Sequence, residues 1–158
     1  MTVPIKPGPI ETPPKSTPPP ARSPEWGKTV VARLTCLYKA EAFEDVVKEV
    51  EKNLSDPRCK DYLPQLTYVD WVASRRLNKR GRAVELQKSF LERFPSHPLA
   101  AEMRFALAVA ALMAGEYKQA TEELDIIEHQ FPSSSLIPKV KELKLKLTTP
   151  SYSGGENE

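Results

Sequence analysis

Two cysteines, two histidines and a run of cations are the side chains here with the most chemistry to offer. Cys36 and Cys59 share no metal-ligand spacing. A disulfide between them is open to the chain, but two cysteines in a sequence with other means of building a core read as reduced, packing residues. His97 lies in a Phe-Pro-Ser-His-Pro stretch and His129 falls 32 residues later. Neither stands with a cysteine in a nucleophile–base pattern. No HExxH, GxSxG, Walker or Rossmann fingerprint occurs. Glu122, Glu123 and Asp125 fall where a solvated helix face would put them. The expectation is a non-enzymatic protein with no catalytic residue, no metal and no cofactor.

The basic run Arg75, Arg76, Lys79, Arg80 and Arg82 surrounds a predicted helix end, where cations oppose the helix dipole. Its alternative is a positive patch for an acidic peptide or nucleic acid. The net charge of +2 and pI near 8.5 fall short of the pI above about 9 expected of a nucleic-acid domain. The run also lacks a glycine-rich phosphate loop and interleaved aromatics. Nucleic-acid binding through residues 75–82 is the weaker reading.

The elements that must position these groups are helical. Apolar periodicity places seven helices at roughly 24–39, 42–54, 61–78, 81–94, 98–114, 116–131 and 135–148. No strand-length alternation competes, so the fold class is all-α. Nine of the 16 prolines lie in residues 1–24. Residues 1–22 read as an extended proline-rich arm, because proline fixes φ and donates no backbone hydrogen bond. Ser23-Pro24-Glu25 reads as a helix start, residues 23–148 as the folded domain, and 149–158 as a disordered tail.

The helices repeat. Phe43, Arg80 and Tyr117 stand 37 residues apart, as do Val46, Ala83 and Ala120. Phe94-Pro95-Ser96 with Leu99 recurs as Phe131-Pro132-Ser133 with Leu136. A period of about 20–50 residues marks stacked repeats, in which each unit buries its apolar face on its neighbours. Gly115 is expected at the C′ position of the fifth helix, and Asn78 takes the same place one period earlier.

Helix, tight turn, helix in tandem resembles the tetratricopeptide repeat. The third copy carries the fingerprint best, with Leu107-Ala108, Gly115-Glu116-Tyr117, Ala120 and Pro132. The resemblance implies that Ala108 and Ala120 let paired helices cross closely, that Tyr117 fills the space beside the turn, and that Pro132 ends the second helix. It covers roughly residues 25–148, and its period exceeds the usual 34. Phe94-Pro95-Ser96 and Gly115-Glu116-Tyr117 look most like repeats of bacterial envelope proteins, such as outer-membrane assembly lipoproteins and periplasmic cell-division coordinators. The implied architecture is a right-handed α-solenoid of three helical hairpins. The lysine-rich seventh helix (Lys139, Lys141, Lys144, Lys146) would be a solubilising cap.

In such proteins the first helix of each pair lines a concave groove. Carried onto this chain, the inward residues are Lys28, Val31, Thr35 and Tyr38, then Gln65, Tyr68, Val72, Arg75 and Arg76, then Glu102, Phe105, Val109, Leu112 and Met113. From Phe105 to Ala114 the fifth helix is apolar all round and should be covered all round. One reading makes it the central packing layer. The other makes Phe105, Val109, Leu112 and Met113 an apolar groove for a partner helix or a second copy. The expected function is a scaffold binding a peptide or helix of another protein, with an envelope-assembly or secretion-accessory role as the alternative. No apolar stretch in the first thirty residues would serve as a signal peptide. The expected location is therefore cytoplasmic if Met1 is the native start, and periplasmic or envelope if an export signal precedes it.

Overall fold

The computed structural model describes Pro4 and residues 25–149. The expectations for the arm 1–22, for Ser23-Pro24 and for the tail beyond Thr149 lie outside these residues. Among the described residues seven α-helices follow one another: α1 Glu25–Lys39, α2 Phe43–Asn53, α3 Leu63–Arg76, α4 Arg80–Arg93, α5 Pro98–Met113, α6 Tyr117–Gln130 and α7 Ile137–Thr148, with a three-ten turn at Pro57–Tyr62. Among the described residues there is no strand. The fold is all-α.

The 37-residue period is a backbone fact. Glu41, Asn78 and Gly115 hold φ of 57°, 56° and 79°, one period apart, and each ends the first helix of a pair. The same bonds close each turn. Ala42, Lys79 and Glu116 donate their amides to the carbonyls of Leu37, Ser74 and Ala111, at 3.0, 2.8 and 2.8 Å. Glu41, Asn78 and Gly115 donate to Tyr38, Arg75 and Leu112, at 3.0, 3.1 and 3.1 Å. This pattern satisfies the carbonyls that a helix end leaves open, and it needs one left-handed residue. Glycine and asparagine were expected at two of these positions. The third is filled by glutamate, which bears the Cβ penalty of that conformation.

The exits of the second helices repeat in the last two copies only. Phe94 and Phe131 end α4 and α6 with φ,ψ of −132°,50° and −127°,53°. His97 Nδ1 and Ser134 Oγ then accept the amides of Leu99 and Leu136, each at 3.2 Å. The first copy departs. Asp56 Oδ1 accepts the Arg58 amide at 2.9 Å, and Pro57 stands at the first position of the turn. A six-residue three-ten turn therefore precedes α3, which starts at Leu63 rather than near residue 61. That turn is packed on α1. A Cβ placed on Gly27 would lie 2.2 Å from Tyr62 Cδ2, and the Arg58 guanidinium stands 4.4 Å from the Trp26 ring centroid.

Each hairpin completes its core on the first helix of the next. Val30, Leu34, Val46, Val47, Val50, Cys59 and Leu66 join α1, α2, the three-ten turn and α3. Trp71, Ala83, Phe90, Ala100 and Met103 join α3, α4 and α5. Ala101, Ala108, Leu124, Ile127 and Val140 join α5, α6 and α7. Consecutive helices touch throughout, and α3 also touches α1 and α5. Ala108 and Ala120 are fully buried. Tyr117 is 41 % exposed, so it does not fill an enclosed space beside the turn.

The lysines of α7 divide. Lys139 and Lys141 face solvent, but Lys144 turns back to α6, 2.6 Å from Asp125 and 2.5 Å from Glu128. Lys144 is an interhelical tie rather than part of a polar outer face. Its bond to Glu128 is the main reason that carboxyl titrates below its ordinary 4.5.

Glu41→Gly should raise stability by about 0.5–1 kcal/mol by removing the left-handed penalty, read as a higher midpoint in urea. A lowered or unchanged midpoint would refute the strain. Because the folded state depresses the Glu128 pKa, its contribution is present above pH 4.5 and disappears as pH falls through the depressed value. The stability gap between wild type and Lys144→Met should therefore narrow below that pH. A gap that persists in acid would mean that packing, not charge, holds α7.

Candidate partner-binding groove

The first helices of the second and third hairpins, α3 and α5, lie side by side, and the Tyr68 hydroxyl donates to the Glu102 carboxylate across them. Burial is the larger cause raising the Tyr68 phenol above its ordinary value, and the bond to Glu102 adds to it. One helical step on, the Tyr68 and Trp71 rings lie 5.7 Å apart. The Arg75 guanidinium covers the Trp71 face at 4.8 Å from the centroid. These residues, with Val72 and Arg76, line a depression of about 450 Å³. Its lining combines two aromatic rings and one valine with two cations and a carboxylate.

Five of the fourteen residues singled out in the sequence, Tyr68, Val72, Arg75, Arg76 and Glu102, meet in that depression. The other nine do not join it: on α1, Lys28 and Thr35 are exposed and Val31 is half-buried. Tyr38 sets its ring edge-on against Phe43 at 5.6 Å. Gln65 is half-buried, and its Oε1 is shut from solvent with no hydrogen-bond partner. Phe105 packs into the α5–α6–α7 core, and Val109 is half-buried. Leu112 and Met113 line a separate cleft of about 280 Å³ with Leu143, Lys146 and Leu147 of α7. The helix α5 is not covered all round: Met113 is 87 % exposed, and Ala110 and Ala114 also face solvent.

The basic run is not one patch. Arg82 turns inward and clamps Asp70, with Nη2 and Nε at 2.6 and 3.1 Å from its two carboxylate oxygens. Its remaining Nη1 reaches Glu51 on α2 at 2.7 Å. Asp70 is completely buried and also accepts from Ser74 Oγ at 3.1 Å. The Asp70 bond is the chief reason the Arg82 pKa rises. Three helices are thus pinned by one guanidinium, which binds two carboxylates far better than it opposes a helix dipole. Arg75, Arg76, Lys79 and Arg80 stay exposed.

Sequence reasoning missed Asp70. Its signal was a carboxylate on the buried face of α3, between Leu66-Thr67 and Ala73-Ser74. Glu123 and Asp125 are likewise not a plain solvated face, since Glu123 lies 3.0 Å from Arg104 with both side chains largely buried. Asp125 holds Lys144.

Both histidines have structural partners. His97 caps α5 and stands edge-on to Phe90 at 5.9 Å. His129 Nδ1 lies 2.7 Å from the Asp125 carbonyl. Both cysteines are free; Cys59 is buried, whereas Cys36 is exposed and so is not the packing residue expected of it. Burial pushes the Cys59 thiol up, away from the thiolate. Among the described residues no group of three or more His, Cys, Asp or Glu side chains could hold a metal. None of the described helices is long and apolar enough to cross a membrane. Searches of family models, curated proteins and solved structures found no match to this chain.

Arg82→Ala strands a buried carboxylate and should cost about 3–5 kcal/mol. Asp70→Ala/Arg82→Ala should recover much of that loss, measured by urea unfolding of both variants. Arg80→Ala should change stability by less than about 0.5 kcal/mol. Equal losses for Arg80→Ala and Arg82→Ala would refute the assignment.

Proposed function

We propose that this chain is a non-enzymatic scaffold of tetratricopeptide-like hairpins, stacked as a right-handed α-solenoid, that binds a peptide or helix of another protein. The observation that carries the reading is the depression between α3 and α5. It offers Val72 and the Tyr68 ring as apolar contact, and Arg75, Arg76 and Glu102 as orienting charges around it. The stacked aromatic and guanidinium side chains are held by neighbours before any ligand arrives, which lowers the ordering cost of binding. The thrice-repeated turn geometry supports the repeat assignment. The nucleic-acid alternative loses support because Arg82, one of its five cations, is committed to Asp70 and Glu51.

Peptides selected from a display library on the folded chain should lose at least about tenfold in affinity, about 1.4 kcal/mol, on Val72→Asp or Arg76→Glu. Lys139→Glu on α7 should leave affinity unchanged. Titration calorimetry at two salt concentrations reads both. If binders survive the groove substitutions and respond to Lys139→Glu, the binding face is elsewhere. Steep salt loss for single-stranded nucleic acid, with no peptide bound, would favour the phosphate reading instead.

A further inference from the structure

One joint between hairpins is filled and the next is open. At the first, Arg82 reaches into the angle of α2 and α3 and holds Glu51 and Asp70. One period on, Gln119 stands for Arg82 and Leu107 for Asp70. Gln119 is exposed and Leu107 half-buried, so the second joint has neither the plug nor its carboxylate. What remains is a cleft of about 460 Å³, lined by Val84, Lys88, Leu91 and Glu92 of α4 and by Arg104 and Leu107 of α5. Val84 is 62 % exposed, whereas its counterpart Val47 on α2 is buried.

The chain also carries a knob. Leu145 on α7 stands one period after Ala108 and two after Trp71. Both of those are buried, but Leu145 is 66 % exposed. The charges beside it mirror those of the cleft with signs exchanged: Lys88-x-x-Leu91-Glu92 on α4, Glu142-x-x-Leu145-Lys146 on α7.

We propose that a second copy of this chain lays its α7 parallel to α4, with Leu145 in the cleft against Val84, Leu91 and Leu107. Equal spacing then sets Glu142 beside Lys88 and Lys146 beside Glu92. Lys88 and Glu92 make no ion pair among the described residues. Glu142 and Lys146 lie 2.7 Å apart with both side chains largely exposed. They keep that contact in the pairing, because the four charges alternate in sign. An antiparallel approach would set lysine on lysine and glutamate on glutamate, which selects the parallel one. Arg104, the remaining charge of the lining, is already held by Glu123 at 3.0 Å. The contact joins two different surfaces of the chain, and one helix in one cleft makes a small, weak interface. No residue lines both this cleft and the α3–α5 depression, so the pairing is independent of peptide binding.

The test is sedimentation velocity of the full chain at rising concentration. The wild-type sedimentation coefficient should climb. Val84→Asp and Leu145→Asp should each remain monomeric alone, yet form dimers when mixed, because each supplies the surface that the other lacks. Lys88→Glu should weaken association about fivefold, and Lys88→Glu/Glu142→Lys should restore much of it. All four positions are exposed, and circular dichroism checks that each variant keeps its helices. A wild type that is monomeric at every concentration would overturn the proposal. So would association indifferent to Val84→Asp and Leu145→Asp, or a mixture of the two that stays monomeric. None of these results bears on the peptide groove, which the display experiment reads through Val72 and Arg76.

Discussion

Each of the three hairpins among the described residues reverses on one residue with a left-handed backbone. Without it the amides of Ala42, Lys79 and Glu116 could not reach back five residues. The second helix of each pair would then leave in another direction. The three turns agree closely although the residues do not: Gly115 fits the position freely, Asn78 tolerates it, and Glu41 is strained into it. A conformation kept despite a poorly suited side chain is set by packing on both sides, here by Val30 and Leu34 against Val46 and Val50.

Apolar burial holds the helices together but does not alone fix how they slide or rotate. Polar ties supply that register at one junction after another. Arg33 approaches Glu49 between α1 and α2. Arg82 joins α2, α3 and α4. Gln87 Nε2 donates to the Met103 carbonyl at 2.6 Å between α4 and α5, Arg104 meets Glu123 between α5 and α6, and Lys144 holds α7 to α6. The Asp70–Arg82 clamp is the most demanding, because its carboxylate has no access to water and depends on its partners entirely.

The helices and their order were legible because apolar residues recur at helical spacing, and the turns were legible where glycine or asparagine marks them. Glu41 was not, since nothing in its type announces a left-handed turn; only the period points to it. The three-ten turn escaped because Pro57 reads equally as an end to α2 and as the start of something new. Charge was the least legible property. Arg82, Lys144 and Glu123 have the composition of a solvated surface, and only the neighbouring helix shows that they point inward. Of the candidate groove, the i, i+4, i+7 stripe Tyr68, Val72 and Arg75 was readable from α3 alone. The turning of Phe105 into the core depends on α7, which a single-helix pattern does not contain.

The Arg82 clamp also gives the hairpins a fixed order. Glu51 belongs to the first unit and serves a guanidinium of the second. One period on, the place of Glu51 is taken by Lys88. A tandem copy of the second unit inserted after itself would bring its own Arg82 up to a lysine. The backbone of this chain is modular, but its charges write a sequence of units that neither duplication nor shuffling can preserve.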